Sequence, residues 1–241
     1  RCLRLMKLER EQGFRSSFNF VAEKYTNHAG MFDELRANGC EIGLHGLRHH
    51  ENMFKSYEAF LAKVPRINKY LKDWGARGFR APCMYHNLDW THELDIEYDA
   101  STFDTDPFEP QPDGVGTIFP FWVSHNRDCK GYVELPYTLP QDFTLFVLLR
   151  ESSIDIWKRK LDWVAEHRGM ALVITHPDYM VINGTSCGRE EYPADYYIEL
   201  LDYVDSRYRG QYWNALPQEV ALYFRSWMAG LEGIQHSGNV R

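Results

Sequence analysis

"EIGLHGLRHH" (41–50) decides how this chain is read. Glu41-Ile42-Gly43-Leu44 has the length and apolar character of a short buried strand, and a helix is predicted from about Asn52. Between them, at the exit of the strand, His45 and His49 lie four residues apart with His50 beside them. Imidazoles so placed suit a metal ion, and they suit equally well a loop in which each ring bonds a backbone carbonyl. His50 is expected to face solvent, because adjacent side chains diverge after a strand.

Outward from this stretch, segments of the two periodicities alternate. A helix over about 2–12 ends at Gly13, and "FRSSFNFVA" (14–22) then alternates like a strand. A second helix, about 29–38, ends at Gly39 and leads into the strand before His45. Beyond it Phe54, Tyr57, Leu61, Val64, Ile67, Leu71 and Trp74 recur at helical steps, with Pro65 kinking the helix or starting a new one. "RGFRAP" (77–82), "IEYDASTF" (96–103), "YVELPYT" (132–138) and "FTLFVLL" (143–149) read as strands. "GMALVIT" (169–175) reads as a buried strand ending in His176-Pro177. Helices are predicted over Ser153–His167, 194–208 and 217–229, and "DTDPFEPQPDGVG" (104–116) as a long loop. Strands alternating with helices pair in parallel through short crossovers, so one α/β domain with a barrel or barrel-like sheet is expected. Its site belongs at the carboxyl ends of the strands. His45, Arg80, Asp99 to Asp104 and His176 all fall there.

Composition narrows the function classes. The 241 residues are 44% hydrophobic and 15% aromatic, ample for a core, and the formal charge of -7 disfavours a phosphate-neutralising face for nucleic acid. No apolar run approaches the roughly 20 residues that span a bilayer, and no signal-peptide pattern opens the chain. Five widely spaced cysteines without a CxxC pair favour reduced thiols, and a cytoplasmic setting is expected. Asn183-Gly184-Thr185 is read as a chance sequon.

Four stretches in order, "HGLRH" (45–49), "FRAP" (79–82), "YDASTFD" (98–104) and "THP" (175–177), resemble the polysaccharide deacetylases of the NodB-homology group. The resemblance runs from "SSFNFV" (16–21) to "LVITHPDYM" (172–180) and implies a distorted (β/α) barrel. It implies that His45 and His49 hold a divalent metal, Zn2+ in the first instance, that Arg80 orients a catalytic carboxylate, and that His176 is a general acid. Leu135 and Pro136 would line the substrate groove, and Asp99 or Asp104 would contact sugar or hold loops around it; Pro82 is counted with them, and Trp90 is read as packing or as a surface on which a sugar ring stacks. The activity implied is hydrolysis of the acetamide of an N-acetylated sugar by metal-activated water, with His176 protonating the leaving amine. The family's aspartate pair, base and third ligand on a first strand, has no match before residue 14, where the acids Glu9 and Glu11 lie on a helix. The barrel is therefore expected to lack its first strand, with the pair upstream of Arg1, so this chain should bind Zn2+ weakly and turn over little. Two other readings keep the same fold: a hydrolase of small linear or cyclic amides, and a carbohydrate-binding relative without catalysis. Cys83 is expected to be small core filler.

Overall fold

The computed structural model describes residues 1–24, 29–49, 53–105, 113–125, 130–182, 184 and 186–237. A six-stranded sheet organises it, in the order β1-β2-β3-β4-β6-β5. β1 (Ser17–Phe20), β2 (Glu41–Leu44), β3 (Gly78–Phe79), β4 (Tyr98–Asp99) and β6 (Gly131–Glu134) run parallel, and β5 (Phe121–Ser124) pairs antiparallel with β6 at the edge. β7 (Met180–Val181) and β8 (Tyr192–Pro193) form a separate parallel pair.

Most helices lie where apolar spacing places them: α1 (Cys2–Glu11), α2 (Ala29–Ala37), α6 (Asp155–Glu166), α7 (Asp195–Tyr208) and α8 (Pro217–Ser237). The long amphipathic stretch divides into α3 (Tyr57–Leu61), capped by Ser56, and α4 (Val64–Trp74), where Pro65 falls in the first turn and its missing N–H costs nothing. A short helix, α5 (Leu88–Thr91), follows. One core cluster joins α1, α2, α6 and α7 to β1 through Leu5, Phe32, Trp157 and Leu200; a second packs α3 and α4 on β2 and β3 through Phe60, Ile67 and Phe79.

Two expected strands take other forms. "FTLFVLL" forms a π-helical turn, Phe143–Leu148, because Asp142 caps its start by accepting from the Phe143 N–H at 2.7 Å. Apolar content alone does not separate a buried strand from a buried helix. Among the described residues, 169–175 join no ladder; the Leu172 carbonyl accepts from the Thr138 and Leu139 N–H, that of Ile174 from the Asp142 N–H, and the Met170 N–H donates to the Ile118 carbonyl. The strands read from "FRSSFNFVA", "RGFRAP" and "IEYDASTF" pair over only four, two and two residues. β5 carried no strand reading in the sequence. The ladders among the described residues form an open sheet rather than a closed barrel.

Candidate functional site

β2 delivers His45 to the sheet's carboxyl edge, where its N–H still bonds the Phe20 carbonyl at 2.8 Å. The ring Nδ1 lies 2.9 Å from the Arg80 carbonyl. A carbonyl only accepts, so Nδ1 carries the proton and the Nε2 lone pair is left for a ligand. Burial pushes the His45 pKa down to about 3, the carbonyl bond opposes this, and the nearby positive charges of His49, Arg80 and His176 lower it further. The ring is therefore neutral at physiological pH, the form that ligates a metal. His49 sits across from it, ring centroids 5.2 Å apart at 61°. Gly46 makes this turn possible: its φ is +68°, and a Cβ there would meet Pro82 at 2.8 Å. Pro82 thus braces the histidine turn from beneath.

His176 follows the 169–175 segment. Its Nδ1 lies 2.6 Å from Asp142 Oδ1, and its backbone N–H donates to Asp142 Oδ2 at 2.7 Å. Tyr192 donates its hydroxyl to the same Oδ2 at 2.8 Å. Asp142 is fully buried, whereas the His176 side chain keeps 30% of its surface. The carboxylate thereby fixes the ring's tautomer and turns Nε2 outward. No sequence signal marked Asp142, which lies 34 residues from its partner.

His45, His49, Arg80, Cys83, Leu135 and His176 line one cavity of about 1970 Å3. Of the expected substrate contacts, Leu135 alone lines it. Trp90 packs with Phe54, Tyr57 and Phe60 in the second core cluster. Asp104 is buried and pairs with Lys160 at 2.6 Å, because the chain turns inward after β4 and hides the carboxylate under α6. Asp99 is buried beside Arg80, accepts from Ser101 Oγ at 2.6 Å, and sits in register with Glu134. Burial raises the Asp99 pKa to about 6, and burial together with the Asp99 charge pushes Glu134 well up. Pro136 and Pro82 are buried and do not line the cavity. Cys83 is exposed rather than core filler, since it and Met84 take left-handed φ of 57° and 56°, which lifts the thiol out of the core. His50, residues 106–112 of the long loop, Cys129, Asn183 and Thr185 lie outside the described residues.

For a divalent ion, His45 fits in tautomer and charge, and His49 lies beside it. Among the described residues, however, no group of three or more His, Cys, Asp or Glu side chains is placed to hold a metal.

Residues 2–94, from α1 past α5, match the family model for polysaccharide deacetylase. A Mycobacterium smegmatis structure assigned as a polysaccharide deacetylase superposes with a TM-score of 0.67 at 20% identity, over 94% of this chain and 77% of that one. The chain has the polysaccharide deacetylase fold. The matched segment carries His45, His49 and Arg80, and His176 lies beyond it. Puue allantoinase superposes with a TM-score of 0.60 at 18% identity, over 93% of this chain and 72% of that one. A 4-alpha-glucanotransferase from Thermococcus litoralis gives 0.53 at 15% identity, over 84% of this chain and 33% of that one. No curated protein sequence matches the chain. Among the described residues no helix is long and apolar enough to cross a membrane.

Proposed function

We propose that this protein is a metal-assisted hydrolase of non-peptide carbon–nitrogen bonds that removes N-acetyl groups from a carbohydrate. The observation that carries this reading is the meeting of His45, held neutral by burial, and the adjacent His49 with the Asp142-anchored His176 on a single cavity. His45 and His49 would hold the ion, Zn2+ by the chemistry of the donors, and when bound it supplies a polarised water and an electrophile for the acetamide oxygen. His45 is held for this by the Arg80 carbonyl. Arg80 follows β3 and is buried within electrostatic reach of Asp99 and Glu134. The amine leaves poorly without a proton, and His176 Nε2 is the group turned toward the cavity that delivers one. Asp142 supports the imidazolium that precedes delivery, since its carboxylate stays buried against the ring. The third metal ligand and the base are carboxylates that the described residues do not supply, so slow turnover is expected of these 241 residues.

Incubation with Zn2+ and N-acetylated chitooligosaccharides, with released amine quantified, tests the reading. Slow zinc-dependent release is expected, reduced at least about 100-fold in His176→Ala. Turnover of small cyclic amides but not of the sugars would overturn the substrate assignment. Turnover unaffected by His176→Ala would overturn the mechanism.

A further inference from the structure

The carbonyl that holds His45 belongs to a peptide unit with a second partner. Its C=O, on Arg80, accepts from His45 Nδ1 at 2.9 Å, and its N–H, on Ala81, donates to Ser101 Oγ at 2.8 Å. A main-chain N–H only donates, so the Ser101 oxygen accepts there and its own proton goes elsewhere. It goes to Asp99 Oδ1, 2.6 Å away. The His45 ring, the 80–81 peptide, the Ser101 hydroxyl and the Asp99 carboxyl thus form one relay, with the direction of every bond fixed.

Sheet register builds this relay. Leu44 pairs with Phe79 and Phe79 with Asp99, so the ends of β2, β3 and β4 lie side by side at one level. Just beyond, the Arg80 N–H meets the Leu44 carbonyl at 2.9 Å and the Ala100 N–H meets that of Phe79 at 3.0 Å. Ala81, Ser101 and Asp99 are all buried, which keeps water from competing for these bonds, and the buried Arg80 charge lies within electrostatic reach of Asp99. A peptide is conjugated, so a bond taken from its N–H draws electron density onto its oxygen. In such a chain the bonds strengthen one another, by roughly 10–30% each. The carboxyl at the far end therefore tightens the carbonyl's hold on the His45 proton, and the opposite nitrogen, Nε2, becomes the more basic.

We propose that Ser101 and Asp99 are positioning residues for His45, acting through the 80–81 peptide to hold its proton firmly on Nδ1 and to make Nε2 the better electron-pair donor. The use of Nε2 toward an ion rests on the reading of His45 as a ligand; the held proton is a property of the protein alone. Asp99 serves the site from behind its wall in this way, without lining the cavity.

Proton NMR of the metal-free full chain, edited by nitrogen-15, reads the His45 Nδ1–H directly. A single downfield Nδ1–H is expected in the native protein. Ser101→Ala and Asp99→Asn are each expected to move it upfield and speed its exchange with solvent, as loss of roughly 10–30% of that bond's strength requires. Asp99→Asn keeps an oxygen for the Ser101 hydroxyl, so a merely structural bond would persist there; Ser101→Ala decides alone if the asparagine variant does not fold. Thr102→Val is the control: it removes a buried hydroxyl bond of 2.6 Å to Glu134 Oε1, next to the relay and outside it, and is expected to leave the His45 proton in place. An unmoved Nδ1–H in the relay variants, or an equal move in Thr102→Val, would overturn the proposal. Titration with Co2+ is the second arm, in which Ser101→Ala is expected to weaken binding about tenfold. Unchanged affinity would overturn the claim on Nε2. If the native protein takes no Co2+ at His45 while the Nδ1 proton still answers to Ser101 and Asp99, the proposed function fails and the relay stands.

Discussion

Asp142 accepts hydrogen bonds from the backbone and ring of His176 and from Tyr192, all within 2.8 Å, and so fixes one proton on one nitrogen. Asp142→Asn leaves the shape but presents an amide that either donates or accepts toward Nδ1, so the His176 ring is expected to sample both tautomers. Nitrogen-15 NMR of the imidazoles checks this: a single Nδ1–H form in the native protein and averaged shifts in the variant. Two other carboxyls set a pH dependence. Glu9, bonded by Ser16 and Tyr197, and Glu41, bonded by Tyr98 and the Gln218 N–H, are each pushed up to about 7 by burial, against the pull of those bonds. Their folded pKa values are raised, so the stability they contribute is complete below about 4.5 and is lost as pH rises through about 7. Each contributes up to about 3 kcal/mol over that interval. Glu9→Gln and Glu41→Gln are expected to flatten the urea-derived stability curve between pH 4.5 and 7; an unchanged slope would show that those carboxyls are already ionised in the fold.

At the scale of elements, the short strands depend on close approach. Gly78 opens β3 directly beside Tyr98, and a Cβ there would fall 1.8 Å from the ring's Cζ. The ring cannot yield, because Tyr98 is buried and its hydroxyl is tied to Glu41 at 2.6 Å. Gly78→Ala is expected to cost at least about 2 kcal/mol by overpacking, read as a lower urea midpoint at unchanged slope. The helices were legible because apolar spacing, Ser56 and Pro65 all agree on where α3 and α4 lie. β2 was legible because a short apolar run stops at the histidines. The strand reading of 143–149 failed because one cap, Asp142, selects a helical turn for a sequence of β-formers. The rims of the strands were overestimated because pairing stops where the chain bends toward the site, a tertiary fact with no local signature.

Across the whole molecule, His45 and Arg80 follow β2 and β3 at the carboxyl edge of the parallel sheet, and His176 reaches the same cavity at the end of a segment that joins no ladder among the described residues. Motif order made His45, His49, Arg80 and His176 readable. Asp142 and Tyr192 were not readable, because they act through the tertiary contact of a turn and a short strand with His176. Asp99, Asp104 and Trp90 do not line the cavity, and sequence leaves this open because acids and aromatics near a strand end look alike whether they face the cavity or the core. The central claim is that the pair at 45 and 49 is a cation site with His176 at its side. Titration of the protein with paramagnetic Co2+, followed by proton NMR of the imidazoles, tests it most directly. The expected result is strongly shifted ring resonances for His45 and His49, broadening of His176, and loss of the shifted signals in His45→Ala; unshifted His45 and His49 rings at saturating Co2+ would contradict it.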